Sequence, residues 1–146
     1  MELIPMTQSH VAQVAALEQV CFSDPWSEAS VAGELANELS LWLVAVEGEN
    51  VLGYVGSQTV LDSTDILNVA VSPDHRGRGI GRALLTELEQ RLRQQGVTEV
   101  LLEVRPSNAP AIALYTSLGF VQVGRRPNYY LNPREDALIL KKEWNT

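Results

Sequence analysis

Cysteine and histidine are scarce in this sequence, with one cysteine and two histidines among 146 residues. The single cysteine, Cys21, excludes an internal disulfide and any metal site built from several cysteines, and it fits a reducing compartment. The two histidines, His10 and His75, lie far apart in the chain, whereas a metal centre needs several such ligands close together. We therefore expect no bound metal, and we expect both histidines at the surface.

The sequence also lacks a long apolar run and an excess of positive charge. No stretch stays apolar over the about 20 residues that a membrane-spanning helix needs, and residues 1–5 lack the basic and apolar regions of a signal peptide. With 11 basic and 18 acidic residues the net charge is −7, which argues against general affinity for nucleic acid. These features predict a cytoplasmic protein without a nucleic-acid or membrane partner, and the acidic surface favours a cationic one.

The overall composition is that of an ordinary globular protein, with 45% hydrophobic and 20% charged residues. A chain of this length buries about two thirds of the surface that it exposes when unfolded. It contains no repeats, linkers or low-complexity segments, so we expect a single domain over residues 1–146. The sequence carries no signal for an oligomer, and we expect a monomer.

A loop rich in glycine and arginine separates a predicted strand from a predicted helix. The apolar run 66–71, closed by Ser72-Pro73, predicts the strand. Apolar residues at helical spacing predict an amphipathic helix over 79–95, ended by Gly96. The loop between these elements and the first turn of the helix contain Arg76, Gly77, Arg78, Gly79, Ile80, Gly81 and Arg82.

This loop has the composition of a diphosphate site. The first amides of a helix lack intrahelical acceptors, and the helix dipole makes that end partly positive. Glycines let the backbone approach a ligand closely, and arginines pair with phosphate. The loop lacks the lysine and the Ser/Thr of a Walker P-loop, and its glycine spacing differs from that of a dinucleotide fold. The alternative is a solvated turn in which glycines cap the helix and arginines keep the surface soluble.

The remaining pattern predicts a mixed sheet covered by helices. The run 97–104 is apolar on both sides, which indicates a buried strand, and a helical crossover predicts that it pairs in parallel with the strand at 64–71. The other predicted strands cover 2–6, 41–47, 51–60, 120–126 and 137–142, and the other predicted helices cover 8–20, 28–37 and a short segment that ends near 118.

Glu103 is the first candidate for chemistry, because it lies inside the apolar strand run, where a charged side chain is seldom tolerated. A carboxylate in apolar surroundings holds a proton more readily than one in water, which suits a general base. The alternative is a structural ion pair with Arg105, two residues further on and expected on the same face of the strand.

Five other polar or aromatic residues have two interpretations each. The spacing of Tyr115 in the short helix favours a core residue over a catalytic one. Asn108 is predicted to cap that helix, and its amide is also able to bind a ligand. Trp26, in the break between the first two helices, and the pair Tyr129 and Tyr130 belong either to the wall of a binding site or to a hydrophobic plug.

Two stretches resemble the conserved motifs of the GNAT acetyltransferase superfamily. The pattern Arg76-x-x-Gly79-x-Gly81 resembles the loop that binds the pyrophosphate of acetyl-CoA. Residues 108–120, with the pattern Asn-x-x-Ala-x-x-Leu-Tyr-x-x-x-Gly-Phe, resemble the second conserved block of the same superfamily. The resemblance covers residues 66–120, and both motifs are specific.

The resemblance implies the GNAT fold, which is an α/β structure with a central, mostly antiparallel sheet, one splayed parallel pair and covering helices. It implies an enzyme that transfers an acetyl group directly from acetyl-CoA to an amine, with Glu103 as general base and Tyr115 as general acid. The residues that it implies for cofactor binding are Val69, Ala70, Val71, Arg76, Gly77, Arg78, Gly79, Ile80, Gly81, Arg82 and Asn108.

Shorter stretches at 25–27, 126–130 and 135–137 resemble the branch of the superfamily that acetylates the N-terminal alanine of a small-subunit ribosomal protein. This implies a protein acceptor with a free N-terminal alanine, with Trp26, Tyr129 and Tyr130 near its binding channel. Two alternatives remain: a relative that acetylates a small amine or a lysine side chain, and a non-catalytic acyl-CoA-binding module. The presence of both Glu103 and Tyr115 argues against the second.

Overall fold

The computed structural model describes residues 1–144, which form one seven-stranded sheet and four α-helices. In chain order the elements are β1 (Glu2–Pro5), α1 (Gln8–Cys21), α2 (Glu28–Glu34), β2 (Ser40–Glu47), β3 (Asn50–Val60), β4 (Ser63–Val71), α3 (Ile80–Gln94), β5 (Glu99–Val104), α4 (Ala109–Ser117), β6 (Val121–Leu131) and β7 (Arg134–Glu143). None of the four helices is both long and apolar enough to cross a membrane.

The strands lie in the order β1-β2-β3-β4-β5-β7-β6. Neighbouring strands are antiparallel throughout, except for the parallel pair β4 and β5. Helix α3 connects the members of this pair, as a parallel crossover requires. The predicted α/β fold, with a mostly antiparallel sheet and one parallel pair, is therefore confirmed.

The parallel pair separates along its length. Cα partners run from Ser63 with Glu99 to Asp65 with Leu101, and the pairing ends there although both strands continue. Strand β4 also has an irregular register against β3, opposite Gly56, and such a bulge bends a strand. The two strands thus diverge, as the resemblance implied, and open a gap in the middle of the sheet.

Beyond the bulge, some backbone polar groups of β4 have no partner strand among the described residues and point into this gap. The N–H of Ser72 donates to the carbonyl of Leu52 in β3 at 2.7 Å. Because successive N–H groups of an extended chain point to alternate edges, the backbone polar groups of Ala70 face β3. Those of Val69 and Val71 face the gap, where β5 no longer pairs with them.

Two hydrophobic layers hold the sheet between its helices. One layer buries the apolar face of α3 against the sheet, through Ile80, Leu84, Leu85, Leu88 and Leu92, as the helical spacing predicted. The other layer packs α1 and α2 against the opposite face through residues that include Val11, Val14, Val31, Trp42 and Tyr54. Burying each such side chain stabilises the fold by about 1.5–3 kcal/mol relative to leaving it exposed.

Strand β5 differs from the prediction that both of its sides are buried. Val100, Leu102 and Val104 are buried, whereas Glu99, Leu101 and Glu103 alternate with them and remain partly exposed. The reason is tertiary, since α1 on that side of the sheet packs against β3 and β4. The second face of β5 is therefore left open to the gap.

Helix α2 and strands β6 and β7 also differ in length from the sequence prediction. Helix α2 ends at Glu34, before the predicted end at residue 37, because the Asn37 side chain accepts a hydrogen bond from the Leu39 N–H at 2.9 Å and forms a turn. Strands β6 and β7 are longer than predicted. An irregularity around Asn128, which has a φ of 52°, lets the ladder resume beyond Pro127.

Candidate active site

A cleft of about 710 Å³ opens where β4 and β5 diverge. Its walls come from these two strands, the segment between α1 and α2, the beginning of α4, and the β6–β7 hairpin. The predicted site residues that line it are Trp26, Val69, Glu103, Asn108, Tyr115, Tyr129 and Tyr130. The fold thus brings together residues that lie up to about 100 positions apart in the sequence, and the cleft is the candidate active site.

Glu103 reaches into the cleft from the open face of β5. Its Oε1 lies 3.5 Å from the Nε of Arg126, and its side chain is 27% exposed. Its Oε2 is buried and has no hydrogen-bond partner among the described residues. A buried acceptor without a partner is costly, so this oxygen is placed to receive a donor from a molecule bound in the cleft.

The alternative interpretation of Glu103, a structural ion pair with Arg105, is not found among the described residues. Strand β5 ends at Val104, so Arg105 no longer shares a strand face with Glu103. Its guanidinium instead lies 3.0 Å from Glu135 and 4.3 Å from the ring centroid of Tyr130. Arg105 thereby holds the β6–β7 hairpin against the end of β5.

A second carboxylate faces the same cleft. Asp65 pairs with Leu101 across the parallel ladder, which puts it on the same side as Glu103, two residues further along β5. Asp65 is exposed, and partial loss of hydration, followed by repulsion from Glu103, raises its pKa. Contact with the Glu103 carboxylate and burial raise the pKa of Tyr129. This end of the cleft is therefore suited to a positively charged group.

Tyr115 is a core residue that also lines the cleft. Its side chain is 8% exposed and lies edge-on to Phe120, with ring centroids 5.7 Å apart, so it belongs to the core. It also lines the cleft. Burial raises the pKa of Tyr115 to about 12, so its hydroxyl stays protonated at neutral pH and is able to donate.

Asn108 caps α4, as predicted from its position. Its side-chain oxygen accepts a hydrogen bond from the Ala111 N–H at 3.3 Å. Since the side chain also lines the cleft, the start of α4 contributes to the wall beside Tyr115.

The glycine-arginine loop lies at the end of β4 and leads into α3. Gly77 and Gly79 have φ values of 81° and 76°, in the left-handed region that favours glycine. Gly79 is the N-cap of α3, and Gly81 already lies inside the helix. The loop adjoins the cleft through Cys21, whose Sγ is 3.7 Å from Arg76 and 3.9 Å from the carbonyl of Val71.

The three arginines of the loop are exposed and rest on polar neighbours. Arg78 contacts Glu47 at 3.0 Å and the Nδ1 of His75 at 2.8 Å, and Arg82 donates to Ser117 at 2.7 Å. With the free amides of α3, they form a positive surface in an acidic protein. Within residues 1–144, no three His, Cys, Asp or Glu side chains are arranged to hold a metal ion.

The structure agrees with the fold that the two motifs implied. The agreement covers the order of the strands, the separation of β4 from β5 and the position of the glycine-arginine loop. The chain belongs to the acetyltransferase (GNAT) family, whose family model matches residues 11–120. It is accordingly an enzyme of the acyltransferase class, and the class predicted from the motifs is confirmed.

Several relatives of the chain are named as ribosomal-protein-alanine N-acetyltransferases. The [ribosomal protein bS18]-alanine N-acetyltransferase of Escherichia coli K12 is 41% identical over 126 residues, which cover 85% of this chain and 84% of that protein. The putative [ribosomal protein bS18]-alanine N-acetyltransferase of Bacillus subtilis is 34% identical, covering 92% and 90%. The crystal structure of the E. coli ribosomal-protein-S18-alanine N-acetyltransferase matches with a TM-score of 0.91 at 36% identity, covering 99% of this chain and 94% of that chain.

Two residues at or beside the site were not predicted from the sequence. Asp65 joins Glu103 only through the register of the parallel strands. Glu18 lies outside the cleft, but it is fully buried and hydrogen-bonded to residues that line the cleft. A charged residue on an apolar helix face is the one available hint for the second.

Proposed function

We propose that the chain transfers the acetyl group of acetyl-CoA to the α-amino group of a protein that begins with alanine, and that this protein is the ribosomal protein bS18. The observation that carries the proposal is that Glu103 and Tyr115 meet the free backbone edge of β4 in one cleft. The names and the identity of the relatives support the acceptor. Since ribosomal proteins are made in the cytoplasm, we place the activity there.

The residues present fit acetyl-CoA. The exposed amides between Gly77 and Arg82 and the arginine side chains suit a pyrophosphate at the N-terminus of α3. The backbone groups of Val69 and Val71, which point into the gap, are placed to bind the amide-rich pantetheine arm. Ala70 contributes through the strand itself, since its backbone groups face β3. Asn108 stands on the opposite wall, where it is able to contact the same arm.

Acetyl-CoA would supply a thioester whose carbonyl carbon accepts the amine. Glu103 would first remove a proton from the α-ammonium group, because only the neutral amine has a lone pair for attack. The new N–C bond forms as the C–S bond breaks, and the Tyr115 hydroxyl donates to the departing thiolate. The nitrogen loses its second proton as the amide forms, which balances the proton that the thiolate takes up. This is direct transfer, so Cys21 needs no catalytic role.

The charges of the cleft favour an ammonium group at the acceptor end. Asp65 and Glu103 present two carboxylates on one side of the gap, and the buried Oε2 of Glu103 is unpaired among the described residues. Trp26, Tyr129 and Tyr130 would enclose the first residues of the acceptor. The strands of the single sheet span the chain from Glu2 to Glu143, and we propose that residues 1–146 act as one domain. The expected monomeric state stays a prediction.

The acceptor is tested with a peptide that begins Ala-Arg, beside the same peptide with a blocked N-terminus. We expect the free peptide to be acetylated by acetyl-CoA and the blocked peptide to remain unchanged, because the α-amine is the nucleophile. Mass spectrometry of both peptides, with a polyamine as competitor, measures the result. Acetylation of the polyamine or of a lysine in the blocked peptide, with the free N-terminus untouched, would contradict the proposal.

The cofactor loop is tested with Gly79→Ala and the matched variant Gly96→Ala. Both glycines have a positive φ, 76° and 90°, at opposite ends of α3, so both substitutions should destabilise the protein by about 1–2 kcal/mol. Only Gly79→Ala should also weaken acetyl-CoA binding, by about tenfold, a change worth about 1.4 kcal/mol. Calorimetric titration and thermal unfolding measure the two effects. Equal affinity in both variants would argue against the pyrophosphate site.

A further inference from the structure

Glu18 is a fully buried carboxylate in the last turn of α1. Its helix neighbours Val11, Val14 and Ala15 are buried apolar residues. Two general effects disfavour a carboxylate at this place, since burial removes its hydration and the C-terminal end of a helix dipole repels negative charge. A carboxylate that remains there needs several compensating contacts.

The contacts of Glu18 come from three other segments. The backbone N–H of Trp26 donates to its Oε1 at 2.9 Å, and Asn68 Nδ2 donates to both oxygens at 3.0 Å. The Tyr54 hydroxyl donates to Oε2, and this contact together with burial raises the pKa of Tyr54. All of these partners are donors, so the carboxylate acts as a common acceptor for the α1–α2 segment, β3 and β4.

Two of these partners belong to the walls of the cleft. Trp26 lines one wall, and its ring packs edge-on against Trp42 with centroids 5.4 Å apart. Asn68 lines another wall, on β4 just beyond the bulge and before Val69. Glu18 is itself outside the cleft, but it connects these two walls through its two oxygens.

We infer that Glu18 is a positioning residue for the acceptor: it fixes the Trp26 segment relative to β4 and so sets the width of the channel that receives the acceptor's first residues. This inference rests on the proposed function. A loop that carries substrate contacts gains precision when its backbone is held by a charged acceptor, because hydrogen bonds to charged groups are the stronger ones. The mutual position of the two walls then depends on one side chain.

Glu34 provides a matched control. It is also a carboxylate that accepts several hydrogen bonds on this side of the sheet, from Ser40 at 3.0 Å, Trp42 at 3.1 Å and Gln58 at 2.9 Å. It does not line the cleft. Glu34→Gln therefore perturbs a comparable network without releasing the backbone of Trp26.

The test compares Glu18→Gln and Glu34→Gln in the full-length protein. In Glu18→Gln, the side-chain amide offers one acceptor oxygen to the donors that bind two carboxylate oxygens in the wild type. We expect the KM for the Ala-Arg peptide to rise about tenfold, with kcat within about twofold of wild type and the Kd of acetyl-CoA unchanged. Hydrogen exchange at the Trp26 amide should accelerate at least about tenfold in this variant alone. Glu18→Asp is the second variant, since it keeps the charge and both acceptor oxygens but shortens the side chain by one methylene, so the donors are not left without an acceptor while the reach to the Trp26 amide is lost.

Each outcome decides between roles. A raised KM with faster Trp26 exchange in the Glu18 variants, and neither change in Glu34→Gln, supports the positioning role. An unchanged acceptor KM in a folded Glu18 variant, or the same changes in Glu34→Gln, overturns it and leaves a structural role. A wild-type enzyme that does not acetylate the peptide overturns the proposed function, whereas an active wild type with unchanged Glu18 variants overturns only this inference.

Discussion

Glu103→Gln is expected to lower kcat/KM for an N-terminal alanine peptide by about 100-fold at pH 7, while the Kd of acetyl-CoA stays unchanged. The substitution keeps the size of the side chain and removes the group that would accept the proton of the ammonium. Because Glu103 faces the acceptor end of the cleft and not the glycine loop, cofactor binding should not depend on it. Steady-state kinetics and calorimetric titration measure the two quantities.

The pH dependence of kcat/KM provides a second test of Glu103 as the base. An α-amino group has a pKa of about 8, so its neutral fraction falls about tenfold per pH unit below that value. The variant, which lacks the base, should follow this fraction and recover as the pH rises from 6 to 9. The wild type should be less dependent on pH, since the base removes the proton after binding.

Glu99→Gln is the matched control for the base. Glu99 lies on the same strand and the same face as Glu103, and it pairs with Lys141 at 3.3 Å and accepts from Ser63 at 2.9 Å. Its removal should leave kcat/KM within about twofold of wild type. If Glu103→Gln retained full activity, or if its defect were the same at pH 6 and pH 9, proton removal would not be the role of Glu103.

Tyr115→Phe is expected to lower kcat by about 100-fold with little change in thermal stability. The phenyl ring would keep the edge-on contact with Phe120, and only the hydroxyl that donates to the departing thiolate would be lost. The pKa of about 12 exceeds the value of about 8.5 for an ordinary thiol, so complete proton transfer is uphill in water. A hydrogen bond that strengthens as the C–S bond breaks is sufficient to stabilise the developing charge.

Tyr130→Phe separates this role from a general effect of tyrosine loss. Tyr130 lines the same cleft, and burial followed by repulsion from Glu103 raises its pKa to about 12 as well. Since it belongs to the acceptor wall, we expect its variant to change the acceptor KM more than kcat. A large drop in the melting temperature of Tyr115→Phe, with kcat preserved, would favour the interpretation of Tyr115 as a core residue only.

Local patterns predicted the parts of the molecule that depend on neighbouring residues. The apolar face of α3 follows from 3.6-residue periodicity, and the cap at Asn108 follows from its place before the next helix. The same patterns were wrong where tertiary cover decides burial. Strand β5 is apolar on both sides in sequence, yet only one of its faces is buried.

The roles of the individual site residues stay predictions, but their proximity is now defined. Sequence reasoning selected Glu103 because a charge is unusual in an apolar strand, and it gave a structural ion pair with Arg105 as the alternative. The structure pairs it with Arg126 instead, since the strand ends before Arg105. Asp65 escaped notice because its relation to Glu103 exists only through the register of the parallel pair.

The sequence by itself determined most of the secondary structure, the place of the glycine-arginine loop and the family, because these depend on spacings of a few residues and on two short motifs. The tertiary structure decided where β4 and β5 separate, which residues face the cleft between them and what the buried carboxylate of Glu18 holds together. Such relations join residues far apart in the chain, by 50 positions for Glu18 and Asn68 and by about 100 for Trp26 and Tyr130 in the cleft. They depend on how strands and helices compete for the same surfaces, and no local pattern records that competition.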